Sequence, residues 1–269
     1  MKRLITICMV LGMLLIASAD VNAVIDTRLL LHLNGEDGAT TTVDSSAQNH
    51  APISFFGNAQ LDTAYKYDGS ASLLLDGTGD YLTTPDSADW DICGSSTDNW
   101  TIDFRVKMTD HSGSEYFIAQ GENSTNRWGL LHTHGSGIRF LMMSNGTLAI
   151  NAPAQHVGEI KDTDWHWIAL SKVGSLYGVY LDGKQVAYTN DTSTDIFAAP
   201  LDIGQDGYSS NYLASHMDDL RIAHSNIFDA SPNATLTNTI TYVACVPEPA
   251  TIVLLGLGAL SLLHRKRSR

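Results

Sequence analysis

Hydrophobic side chains recur at every second residue through much of this chain. Ile102, Phe104, Val106 and Met108 alternate with Thr101, Asp103, Arg105 and Lys107, the period of a strand with one buried and one polar face. Further short apolar or alternating runs occupy residues 29–33, 73–75, 116–119, 138–143, 165–173 and 176–181. Between runs stand Asp76-Gly77, Asn145-Gly146 and Asp182-Gly183, pairs that accept positive φ and so predict hairpins. The last pair sits between LYGVYL and KQVAYT, two alternating runs with a two-residue connection. No twelve-residue window combines a 3.6-residue apolar period with helix caps. Many strands at regular spacing without helices predict an all-β fold, an antiparallel sandwich of two sheets. With no internal repeat and no low-complexity linker, residues 24–245 read as one domain.

The two ends break this pattern. Lys2 and Arg3 precede an apolar run from Leu4 to Ile16, and small residues follow at 17–19 and 21–23. That layout predicts a signal peptide over residues 1–23, removed by signal peptidase on export. At the other end Pro247-Glu248-Pro249 precedes an uncharged stretch, Ala250 to Leu263, and a basic tail. As a helix the stretch reaches roughly 21 Å, short of the roughly 30 Å hydrocarbon core, so it suits transient arrest in a membrane better than permanent anchorage. Arg265, Lys266 and Arg267 would hold the tail on the cytoplasmic side.

Pro247, Glu248, Pro249, the short apolar helix and the basic end together resemble the PEP-CTERM sorting signal of Gram-negative bacteria, over residues 246–269. The resemblance implies cutting near Pro-Glu-Pro by an exosortase, delivery to the cell surface or beyond, and a setting of exopolysaccharide matrices.

Charge narrows the partners. Residues 24–245 hold 27 acidic and 10 basic side chains, a net charge near −17. Such a surface repels nucleic acid and anionic membranes, and suits a soluble extracellular protein or hard cations. Cys93 and Cys245 remain after processing. Export permits a disulfide between them, and nothing in their spacing requires one.

Four stretches, 29–46, 73–92 continuing into NWTIDFRVK, 164–186 and 201–228, resemble in order and spacing the concanavalin A-like lectin/glucanase superfamily in its laminin G-like jelly-roll branch. The resemblance implies that Tyr81 follows a tight hairpin, that Ile102 and Phe104 fill the core, and that Trp165 and Trp167 begin a strand facing the space between sheets. Leu220 and Ile222 then belong to the closing strand. It also implies a structural calcium ion closed by Asp218, with Asp219 as its rival; solvation of both, or pairing with Arg221, is the alternative.

No catalytic signature appears. Retaining hydrolysis needs two carboxylates about 5–5.5 Å apart. The mature chain has four glutamates, Glu36, Glu115, Glu122 and Glu159, none in the Glu-x-Asp-x-x-Glu strand of glucanases. The Arg, Glu and Gln-x-His elements of the lyase branch are missing, as are G-x-S-x-G and H-E-x-x-H. His132 and His134 share a strand face without a third ligand nearby, and His166 between two tryptophans reads as packed. The expectation is a non-enzyme. For a saccharide ligand, aromatic side chains stack on the sugar ring; the candidates are Trp128, Tyr208 and Tyr212. The sequence thus predicts a secreted, cell-surface or matrix protein that binds polysaccharide or another matrix component. A structural protein making protein contacts only, and a divergent glycan hydrolase or lyase, are the alternatives.

Overall fold

The structure, a computed structural model, describes residues 25–244. The predicted signal peptide, the predicted sorting signal with its short helix, and Cys245 lie outside the described residues. Among those described, no helix is long and apolar enough to cross a membrane.

Two antiparallel sheets make up the domain. The first runs β13 (Lys184–Asn190), β12 (Leu176–Leu181), β11 (His166–Val173), β6 (Asn99–Met108), β15 (Ala214–Ala223), β4 (Ser72–Asp76) and β3 (Gln60–Asp62), with β1 (Thr27–Leu31) also paired to β15. The second runs β10 (Thr147–Ala152), β9 (Gly137–Ser144), β8 (Asn126–Thr133), β7 (Ser114–Asn123), β14 (Leu201–Ile203), β5 (Tyr81–Thr84) and β2 (Ser54–Phe56). Helical structure among the described residues is limited to two short 3₁₀ turns, Ala88–Trp90 and His156–Gly158.

The alternation read from the sequence sets the interior. Ile102, Phe104, Val106 and Met108 all lie in the core between the sheets. Phe104 meets Phe117 of the opposite sheet at 5.3 Å between ring centres, and Phe140 stacks on Tyr177 at 5.4 Å. Each fully buried apolar side chain of this kind contributes about 1.5–3 kcal/mol.

Two of the predicted hairpins form. Asn145 and Gly146 take φ of 49° and 77° between β9 and β10, and Asp182 and Gly183 take 50° and 80° between β12 and β13. Asp76-Gly77 departs from expectation. It carries the chain from β4 in one sheet to β5 in the other, so the strands it joins do not pair. A turn dipeptide sets the local bend; which sheet the next strand joins depends on partners far away in sequence.

Trp167 is a second correction. It points away from the inter-sheet space, while its neighbour Ile168 enters it. Trp165 precedes β11 and meets Tyr67 edge-on at 6.0 Å. Trp167 is buried instead by the last described segment, where Phe228, Ala230, Ile240 and Tyr242 pack on the outer face of the first sheet. Arg105 is clasped there between Tyr67 and Tyr242, 4.2 and 4.5 Å from the ring centres. The segment 228–242 thus closes part of the first sheet's outer face.

Candidate functional site

The outer face of the second sheet is built differently. Leu82, Leu201 and Ile203 face the core, so the pleat turns Tyr81, Thr83 and Asp202 outward. Phe56 pairs in register with Tyr81, and Asp202 lies opposite Thr83 and Ala119. The result is a row of rings. Phe56 stacks on Tyr81 at 4.7 Å with 2° between planes, and Tyr81 faces Tyr212 at 6.5 Å and 27°. Phe56 is 43% exposed, and Tyr81 and Tyr212 are half-buried.

Polar groups flank the row. The Asp202 carboxylate accepts from Gln205 Nε2 at 3.2 Å. Burial, with some repulsion from Asp206, pushes its pKa up to about 6. Asp206 is fixed: Oδ2 takes Arg127 Nη1 at 2.9 Å, while Oδ1 takes the backbone N–H groups of Tyr208 and Ser209 and the Ser209 hydroxyl. These bonds fold the 205–212 loop against the sheet, where the Asn211 carbonyl accepts from the Tyr116 N–H at 3.2 Å. The Tyr116 ring packs against Gly129; a Cβ there would sit 2.6 Å from it.

The candidate aromatic residues separate. Tyr212 ends the row, and Tyr208 lies on the same loop, 41% exposed, its hydroxyl donating to the Gly121 carbonyl. Trp128 belongs elsewhere. It is completely buried among core residues, and Nε1 donates to the Trp90 carbonyl and to Gln120 Oε1. Its odd-even position on β8 turns it inward, so it meets no ligand. Sequence alone gives no pointer to Phe56, Asp202 or Gln205 on this face, and it reads Tyr81 only as scaffold. Locally, Phe56 is a second aromatic following an inward one, just before the Gly57 turn.

Asp218 and Asp219 sit where β15 changes partner from β4 to β1. Asp218 is 1% exposed and accepts the N–H groups of Tyr67, Asp68 and Asp219. Asp219, at φ 48°, pairs with His32 Nδ1 at 3.0 Å. Arg221 bonds neither; its guanidinium holds Asp103. Pairing with Arg221 is set aside, and so is solvation of Asp218, while Asp219 keeps partial exposure. A calcium ion needs converging oxygens, whereas Asp218 is surrounded by N–H donors. No group of three or more His, Cys, Asp or Glu among the described residues could hold a metal ion. The residues present do not fit calcium here.

The remaining sequence candidates are structural. His132 is buried and its Nε2 accepts the Ile160 N–H at 3.2 Å; burial pushes its pKa down to about 4. His134 lies exposed beyond β8. His166 bridges Asp182 at 2.8 Å and Asp162 at 2.9 Å, and these carboxylates raise its pKa to about 9. Cys93 is a buried free thiol.

Two family models match the chain. Residues 76–229 match that of the concanavalin A-like lectin/glucanases superfamily, and residues 246–268 match the PEP-CTERM protein-sorting motif. No curated protein matches. Among solved structures, domain 4 of AbnA, a GH43 extracellular arabinanase from Geobacillus stearothermophilus in complex with arabinotriose, is similar at 15% identity. The similarity covers 81% of this chain and 95% of that one, with a TM-score of 0.58. The binding domain of Paraclostridial Mosquitocidal Protein 1 is similar at 14% identity and a TM-score of 0.57, over 74% of this chain and 49% of that one. The botulinum neurotoxin serotype C1 binding domain gives 13%, 0.54, 74% and 49%. This chain thus spans about half the length of those toxin domains. At such identities the likeness is one of fold. The sorting motif marks an exported protein, and its all-β domain belongs to the concanavalin A-like lectin/glucanases superfamily.

Proposed function

We propose that the domain is a non-catalytic glycan-binding module, displayed at the cell surface or in the extracellular matrix after processing by signal peptidase and an exosortase. The ligand lies across the outer face of the second sheet, along Phe56, Tyr81 and Tyr212. The observation that carries this reading is that row of stacked, partly exposed rings. Sugar rings present apolar C–H faces to aromatic planes, while side-chain amides and carboxylates receive their hydroxyls. Gln205 and Asp202 stand beside the row for that purpose. The fold-level neighbour from the arabinanase was solved with arabinotriose, which makes a neutral oligosaccharide the first ligand to try.

The hydrolase alternative has one observation in its favour, the raised pKa of Asp202 on the same face. Its neighbour Asp206 has both oxygens engaged by Arg127 and the loop, so it is a poor second carboxylate for cleaving a glycosidic bond.

The test is affinity electrophoresis and calorimetry of the full chain against a polysaccharide panel that includes arabinan. Retention that is lost in Tyr81→Ala, without product release, supports the reading. No retention on any polysaccharide, with concentration-dependent self-association, supports the protein-contact alternative and ends this one. Released sugar that disappears in Asp202→Asn would establish the hydrolase.

A further inference from the structure

The mechanism of the aromatic row leaves unused a pocket of about 480 Å³ beyond Tyr212, where one end of the sandwich opens. Three segments wall it: the crossing 76–78, the 109–114 loop and residues 210–214. Glu115, at the start of β7, lines it. This side chain is only 5% exposed, and its Oε2 has no hydrogen-bond partner among the described residues. A buried carboxyl oxygen without a partner costs free energy; Oε2 itself is enclosed, while the side chain that carries it forms part of the pocket wall.

The lining indicates the ligand. No Lys or Arg reaches the pocket, so an anionic sugar or phosphate has nothing to neutralise it. A cation is equally ill served. Asp110 is spent on the N–H groups of His111 and Ser112 and on the Ser112 hydroxyl, and Asp76 on Thr78 and Asn58. The rest is neutral and hydrogen-bonding, with Thr78, Ser210 and Asn211 beside the Tyr212 ring. Burial and the nearby Asp110 push the Glu115 pKa up to about 8, so the group carries its proton at neutral pH. The other titratable groups around it are Asp76, His111 in the adjoining loop, and His132, opposite it on β8.

We propose that this pocket is an end-on subsite for one neutral sugar residue, whose hydroxyl bonds the Glu115 carboxyl while Tyr212 continues the stacking row into it. The choice of a sugar rests on the glycan-binding reading above; the existence of a site rests on Glu115.

The two are separable by experiment. The full chain contains five glutamates, so ¹³C-carboxyl labelling of Glu gives a spectrum in which Glu115 can be assigned through Glu115→Gln. Titration uses L-arabinose, D-galactose, D-glucose, D-mannose and arabinotriose. The expected result is a saturable shift of the Glu115 signal with at least one of them. Glu115→Ala should weaken that binding about tenfold, the scale of one buried hydrogen bond, while Glu115→Gln, which keeps a donor and an acceptor, holds within about threefold. Ser210→Ala on the exposed wall gives the same direction without touching the core. Tyr81→Ala should weaken arabinotriose and leave the monosaccharide response intact. A panel that binds through Tyr81 without moving the Glu115 signal overturns the subsite and spares the glycan-binding reading. A panel that binds nowhere overturns both.

Discussion

Arg221 on β15 grips Asp103 on β6 through two hydrogen bonds, Nε to Oδ1 at 2.8 Å and Nη2 to Oδ2 at 3.1 Å, with both residues 1% exposed. Trp167 Nε1 adds a third donor to the same carboxylate at 3.3 Å. The pair bolts the two central strands of the first sheet together beneath the segment 228–242. Removing one partner strands a buried charge. Arg221→Met should therefore cost about 3–5 kcal/mol in chemical denaturation, while Arg221→Met with Asp103→Leu should recover much of that loss. A single variant as stable as the parent would show that the carboxylate finds water.

Trp128 and Phe56 should behave oppositely. Trp128→Ala empties a completely buried site and removes two hydrogen bonds, at a cost of about 3–5 kcal/mol. Phe56→Ala removes an exposed ring and should change stability by no more than about 1.5 kcal/mol, the scale of its stacking on Tyr81. Glycan retention should fall in Phe56→Ala. Thermal unfolding and affinity electrophoresis of the two variants check both statements.

Gly183 is needed for its backbone as well as its size. Its φ is 80°, and a Cβ there would stand 2.6 Å from the Ile240 carbonyl oxygen, which belongs to the segment covering Trp167. Gly183→Ala should cost more than about 1 kcal/mol. It should also weaken the near-ultraviolet circular dichroism of Trp167 before global unfolding begins. Unchanged stability would mean the covering segment is not held against this hairpin.

The pH dependence of stability has two arms. His132 is held neutral, its pKa lowered from 6.5 to about 4, so its contribution is present above 6.5 and is lost as pH falls toward 4. Glu115 is held protonated, raised from 4.5 to about 8; relative to the unfolded chain it loses stability as pH rises from 4.5 through 8. His166, raised from 6.5 to about 9 by its carboxylates, adds to the alkaline decline, its contribution lost between those values. Urea midpoints across pH should fall on the alkaline side, less steeply in Glu115→Gln. Equal slopes in variant and parent would place the titration elsewhere.

Particular residues show how far the chain could be read. The period of Ile102 to Met108 reports its own environment, because alternate side chains of a strand must take opposite faces. Asn145-Gly146 and Asp182-Gly183 likewise specify their turns by local backbone preference. Trp128 and Phe56 were illegible for the opposite reason. Each stands next to a strand-forming neighbour, and which of two faces is wet depends on a second sheet contributed by distant residues. The same holds for Trp167: a late segment covers the outer face, and nothing near Trp167 in the sequence announces it.

The sequence alone determined strands in place of helices, an acidic chain, two hairpins and the C-terminal sorting motif, since each is written in nearest-neighbour chemistry. Tertiary structure decided which faces remain open, how Phe56, Tyr81 and Tyr212 line up from three separate segments, and that Asp218 is claimed by backbone N–H groups. It also left Glu115 in a pocket wall with one enclosed oxygen unpaired. Those outcomes depend on which strands become neighbours, and that pairing is a property of the whole chain folding at once.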